Sequence, residues 1–285
     1  MLARCSVGAL ALTAVMVTTI SAARAHDETK YPDWSGQWLR TGGIQWDPSK
    51  PIGRGQQASL TPEYQAIFEA SLADQAKGGA GNDPRYSCFP VGMPRLMSVI
   101  FPMEFIFTPK VTYILFENNM PRRIYTDGRG WPKNPDQHPD QHPEPTFARY
   151  SLGQWIDADG DGRYDTLEVE TRYMKGPRTY EGTGLPLHKD NQTVVKERIA
   201  LDKSNLDRMH DEITTIDNAL TRPWTVTKTY RRERNVTWFE NDCTEDNHHI
   251  GIGSEHYFLS ADGYLMPAKK GQAPPDLRYF SQGKR

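Results

Sequence analysis

The chain has 285 residues, with 34 lysines and arginines against 36 aspartates and glutamates, giving a formal net charge of −2 at neutral pH. So nearly balanced a charge gives no bulk attraction for nucleic acid or for acidic membrane surfaces. A mean hydropathy of −0.70 leaves room for one apolar stretch only, and the length suits a single domain with a core of its own.

That apolar stretch comes first. Arg4 precedes an apolar run over residues 6–20, and Ala23, Arg24 and Ala25 follow it, the layout of a secretory signal peptide too short to span a membrane. Residues 1–25 are expected to be that signal peptide, and residues 26–285 a single β-rich domain, periplasmic or secreted, with no membrane span. Cys5 is lost on cleavage. In an oxidising compartment Cys88 and Cys243 are expected as one disulfide closing a long loop, with a thiol nucleophile or soft-metal ligand as the alternative.

Residues 33–40, with Trp34 and Trp38 around Gly36, read as a short first strand. Thr61-Pro62-Glu63 is a helix start with a capping hydroxyl and a proline at the first helical position. Tyr64, Ile67, Phe68 and Leu72 then recur at helical spacing until Gly78-Gly79. This single helix is expected across the sheet or plugging its open end. Residues 96–101, 103–108 and 111–117 are β-rich runs, largely apolar on both faces, and residues 121–126 add another strand. A proline-rich loop over 132–145 repeats Asp-Gln-His-Pro, ending at Pro139 and Pro143; its His138 and His142 are either a metal pair or part of a solvated loop. Further strands are read over 150–173, interrupted by a loop, then over 193–201, 206–215, 223–232 and 236–240, with a closing hairpin over 256–266 and a loose tail. Many short strands and one helix predict a mainly β fold: an antiparallel β-barrel of lipocalin-like kind, or a sandwich.

The loop inside 150–173 is the sharpest chemical signal. Asp157, Asp159, Asp161, Asp165 and Glu168 hold the calcium-loop positions 1, 3, 5, 9 and 12, with Gly162 at position 6 and the Arg163 carbonyl at position 7. Such carboxylates repel one another unless a cation neutralises them; the alternative is a solvated Asp-Gly hairpin that needs no ion. No organic cofactor is expected, since no phosphate loop or dinucleotide fingerprint is present.

Other charged residues are candidates by position. Glu197 falls on the apolar face of its strand and Lys228, with Trp224, on that of another; they are expected as an ion pair, or Glu197 as a general acid or base. Asp127 beside Arg122, Arg123 and Arg129 forms either an anion clamp or a self-neutralising turn. His188 is an acid/base candidate in a loop. Asp127, His188 and Glu197 are thus the catalytic candidates, and Arg122, Arg123, Arg129, Trp224 and Lys228 the ligand-binding ones.

The strings Cys88-Phe-Pro-Val-Gly-Met-Pro-Arg95, Arg122-Arg-Ile-Tyr-Thr-Asp-Gly-Arg129, Tyr150-Ser-Leu-Gly-Gln-Trp155 and Thr221-Arg-Pro-Trp-Thr225 resemble a broad group of uncharacterised secreted bacterial proteins. That resemblance implies a β-rich barrel-like domain and brings no established activity. The acidic loop replaces the short turn usual in the group, so an ion there is a local addition. The leading expectation is a barrel-like domain enclosing a small apolar or aromatic molecule. The alternatives are a cofactor-independent lyase, isomerase or hydrolase on the same scaffold, and a calcium-stabilised structural module. Oligomeric state and ligand identity are not legible.

Overall fold

In a computed structural model, which describes residues 27–42, 58–98, 100–132, 147, 150–239, 249–252, 255–260 and 264–274, nine strands close into a barrel. They are β1 (Gln37–Arg40), β2 (Met103–Phe107), β3 (Val111–Phe116), β4 (Asn119–Tyr125), β5 (Tyr150–Ile156), β6 (Thr166–Arg172), β7 (Val194–Asp202), β8 (Asn205–Ile216) and β9 (Trp224–Glu233). Closure comes from β1, which pairs with β2 at Trp38 and Met103 and with β9 over four residues. The mainly β barrel with one α-helix is as the sequence predicts. Among the described residues no helix is long and apolar enough to cross a membrane.

One seam departs from the antiparallel expectation. β4 and β5 run parallel, joined only through Ile124–Ser151 and Tyr125–Leu152. Parallel neighbours need a connection that carries the chain back to its starting end, and the stretch over 126–149 supplies it. The proline-rich stretch 132–145 falls in that interval of the sequence, and residues 133–146 and 148–149 lie outside the described part.

The long strands follow period-two alternation. Met209, Asp211, Ile213 and Thr215 of β8 are buried while their neighbours are open, and Trp224, Val226, Lys228, Tyr230 and Arg232 of β9 do the same. Arg232 tethers the start of the chain: its guanidinium stacks on Trp38 at 4.7 Å and donates to the carbonyls of Asp33 and Ser35.

Other expectations are corrected. The described residues of 96–101 form no strand; Arg95–Ser98 is a 3-10 turn whose Leu96 and Met97 drop into the barrel. Residues 236–239 are not a strand either. The final hairpin does not close the barrel, but belongs to a separate three-stranded sheet of β10 (His249–Ile252), β11 (Glu255–Leu259) and β12 (Leu265–Pro267).

The helix α1 (Pro62–Gln75) starts where expected, with the Thr61 hydroxyl accepting from Tyr64 N. Its buried face is Tyr64, Phe68 and Ser71, whereas Ile67 and Leu72 stay exposed. It sits at the end where β8 turns into β9: Leu60 bridges Leu220, and Thr61 N donates to Ala219 O. Met93, Leu96, Met97, Met174, Tyr180 and Leu185 cap this end from the segments around 84–98 and 173–193. The opposite end is plugged by rings: Trp155 lies 5.1 Å from Trp34, 4.8 Å from Phe107 and 5.2 Å from Tyr31. The sequence reading expects a guest-holding interior. The centre is instead filled by Trp38, Met103, Ile114, Ile124, Leu167, Ile199 and their neighbours.

Candidate functional site

Charges inside this apolar centre are arranged against one another. Arg122 on β4 donates through two nitrogens to both carboxylate oxygens of Glu197 on β7, one contact at 2.7 Å, with both side chains shut off from solvent. Its Nη2 also donates to Thr171 Oγ1 at 3.0 Å, and that hydroxyl lies 2.8 Å from Ser151 Oγ. Glu197 therefore pairs with Arg122, not with Lys228 as its face assignment predicts. The reason is strand order: β7 and β9 are separated by β8, so Lys228 faces Asp211 directly across the ladder.

Asp211 is fully buried, and neither carboxylate oxygen has a hydrogen-bond partner among the described residues. Burial, and then Glu197, push its pKa well above the ordinary carboxylate range, against the pull of Arg122 and Lys228. Its protonated form is thereby favoured. Lys228, opposite it on β9, and Arg122 offset that push only in part.

The three catalytic candidates do not share a cleft. Glu197 is inside the barrel with Arg122. Asp127 is outside, bonded to Arg129 at 2.8 and 2.7 Å, and the Arg129 hydrogen bonds hold its carboxyl below the ordinary range. His188 lies beside α1, its Nδ1 2.9 Å from Asp190 and its ring 5.0 Å from that of Tyr64. The arginine cluster is likewise split by alternation: Arg122 points in, while Arg123 and Arg129 point out over the Tyr125 ring at 5.9 and 4.0 Å. Trp224 is buried against Tyr180 at 4.6 Å, and Lys228 is buried on the same face, so neither reaches a surface ligand.

The acidic loop brings part of its set together. Ligand atoms of Asp157, Asp159 and Asp161 lie within 4.8 Å of one another. Asp157 accepts from the backbone of Gly160, Asp161 and Gly162, which curls the loop around its carboxylate. Asp165 turns to Ala158 N and to Lys203 Nζ, which also holds Asp159 at 2.8 Å. Glu168 is already in β6, opposite Gln154 and Arg198, and is not part of the group.

Two larger cavities bear on binding. The first, about 920 Å³, is a groove on the outer face of β5 to β8. Across the ladder Glu168 and Glu212 flank Arg198, and Glu170 faces Lys196, so each of these cations already has an acidic neighbour.

The second, about 420 Å³, lies between the capped end of the barrel and the rim formed by β1, β2 and the β3–β4 turn. Arg40, Arg85 and Arg95 line it with Ser98, Glu181 and the apolar Val91, Ile100 and Phe101. Arg40 Nε and Ser98 Oγ are both buried without a hydrogen-bond partner among the described residues. Arg95 is committed to Asp83 through two nitrogens, one at 2.9 Å, and to Thr179 Oγ1 at 3.0 Å. Arg85 reaches Asn119 Oδ1 at 3.5 Å; burial first, and then nearby Arg95, push its pKa down.

Sequence reasoning passed over these residues. The signal was present at Arg40, two positions after the inward Trp38 and therefore on the same face of its strand. Arg85, Arg95 and Ser98 are brought to it by irregular segments, where no periodicity indicates direction. Fold and site define a closed nine-stranded barrel with a rim pocket. Compared with known proteins, the chain matches no family model, no curated protein and no solved structure.

Proposed function

We propose that this chain is an exported β-barrel protein, periplasmic or secreted, that binds a small, partly apolar molecule in the rim pocket instead of the lumen. One observation carries the reading: two buried polar atoms without a hydrogen-bond partner among the described residues, Arg40 Nε and Ser98 Oγ, belong to residues that line the same cavity. A buried donor left unpaired costs about 1–3 kcal/mol, and a guest that satisfies both removes the cost. The cavity is within the roughly 300–1,000 Å³ of small-molecule sites. Native mass spectrometry of the mature protein isolated from its own host tests this. A co-purifying small molecule is expected, lost in Gly182→Trp, which fills the pocket. A bare mass in both, or an adduct that survives the substitution, counts against it.

A second reading concerns the acidic loop. The grouping of Asp157, Asp159 and Asp161 favours a hard divalent cation, calcium by ligand type, which would rigidify the β5–β6 hairpin. Metal analysis of the purified protein, with thermal melting in calcium and in chelator, tests it. A bound ion and a raised midpoint are expected; no ion and an unchanged midpoint remove the reading.

The Cys88–Cys243 disulfide belongs to the same proposal of export. Cys243 lies outside the described residues, and the bridge is proposed because two cysteines remain for an oxidising compartment. Thiol titration of the unfolded mature protein should find none; two reactive thiols contradict the bridge.

A further inference from the structure

We propose that the outer face of β2 and β3 is the contact through which two copies of this chain pair about a two-fold axis. The contact stands independently of any guest in the rim pocket.

The wall of the barrel differs in composition from one arc to the other. On β6 to β8 the outward positions are charged row after row, Glu168 opposite Arg198 and Glu170 opposite Lys196, as a solvated antiparallel face requires. On β2 and β3 the outward positions are apolar instead: Ile106 lies opposite Tyr113, and Leu115 takes the next row, opposite Glu104. The inward set of the same strands, Met103, Phe105, Ile114 and Phe116, already fills the core, so the core does not account for the apolar outside. Residues 236–239 extend this face. Thr237 N donates to Gln37 Oε1 at 3.3 Å, Gln37 donates to Glu104 on β2 at 3.1 Å, and Phe239 N donates to Glu117 Oε2 at 3.4 Å. Ile106 is 44 % exposed, Trp238 46 % and Phe239 66 %, so large apolar side chains stand open to a partner.

The charges at the two ends of the hairpin select the partner. Lys110 sits in the β2–β3 turn, and Glu117 follows β3 at its far end. Their midpoint along the chain falls between Tyr113 and Ile114, at the centre of the apolar rows. A two-fold axis crossing β3 there, in the plane between two stacked faces, reverses the strand direction of the second copy. It sets Lys110 over the partner's Glu117, twice by symmetry, with Ile106, Tyr113 and Leu115 between the two pairs. The result is an apolar centre inside a charged rim, the makeup of a protein contact. An anionic lipid surface would answer Lys110 and be repelled by Glu104 and Glu117 of the same face.

Sedimentation velocity of the mature protein, over a concentration series rising to about 100 μM, tests the contact. The mass is expected to rise from one chain to two. Ile106→Glu should hold it at one chain throughout, with an unchanged circular dichroism spectrum, because this side chain already faces out. Lys110→Glu and Glu117→Lys, each setting like charges against one another, should weaken pairing at least about tenfold, and the double variant should recover it. Should Ile106→Glu alter the spectrum, the charge reversals decide alone. A single-chain mass for wild type at every concentration overturns the proposal. So does a dimer that survives a folded Ile106→Glu, or reversals that the double variant fails to rescue, since either places the contact on another face.

Discussion

Arg122 and Glu197 meet inside the barrel, guanidinium to carboxylate through two parallel hydrogen bonds, from strands on opposite sides of the crossover seam. The pair ties β4 to β7 through space where the ladder between β4 and β5 is only two residues long. Its position explains why the charges are tolerated: each has its partner, and Thr171 Oγ1 accepts a further hydrogen bond from the guanidinium.

Breaking that pair from one side strands a buried charge. Arg122→Met is expected to destabilise the fold by about 3–5 kcal/mol, and Arg122→Met with Glu197→Met to recover most of it. Urea unfolding of the two variants measures the difference. Equal losses in both would mean that the apolar packing of the stems, and not the charge, dominates.

Asp211 makes stability depend on pH in a stated direction. Its folded-state pKa is raised above the ordinary 3.8, so the folded chain holds a proton that the unfolded chain has given up. The stability of the neutral acid is fully present below about pH 4 and is lost as pH rises toward the folded-state value. Asp211→Asn removes the titration. Its stability relative to wild type should rise steadily from pH 4 upward, measured by urea unfolding at several pH values. A difference that stays constant with pH would contradict the buried neutral acid.

Gly153 marks the tight point of the seam. A Cβ placed there would come within 2.5 Å of Ile124 Cγ2 and 3.3 Å of Leu167 Cδ1, closer than packed carbons approach. Gly153→Ala is expected to cost about 1–3 kcal/mol, with Ile124→Val restoring part of it. Thermal melting of the single and double variants checks this, and a fully tolerated alanine would show that β4 and β5 can separate.

At the acidic loop, Lys203 occupies the electrostatic role that a cation would take, bonded to Asp159 at 2.8 Å, with that carboxyl held below its ordinary range chiefly by the lysine hydrogen bond. Lys203→Ala should tighten calcium binding severalfold in a calorimetric titration, because the ion no longer displaces an ammonium group. Unchanged or weaker binding would place the ion elsewhere.

The sequence reveals the barrel strands best where one face is buried and the other wet. In β8 and β9, Ile213 and Val226 alternate with Glu212 and Thr227, and period two is visible directly. Residues 96–98 mislead because they are apolar for a different reason: Leu96 and Met97 cap the barrel as a 3-10 turn, and burial without alternation looks like a central strand. Closure through β1 and β9 joins residues nearly two hundred positions apart, which no local pattern encodes. The same limit hid the site. Glu197 and Lys228 were legible as inward charges, but their partners depend on strand order, and the rim pocket gathers side chains from five separate stretches of chain.

A guest seated at Arg40 is reported directly by the side-chain Nε–H resonances of the arginines. When two-dimensional nitrogen–proton spectra of the protein as isolated are compared with those of protein unfolded, dialysed and refolded without small molecules, the Arg40 signal, assigned by its loss in Arg40→Lys, is expected to shift while that of Arg122 stays fixed. A shift confined to Arg129 and Arg198 in the outer groove, or no shift at all, would contradict it.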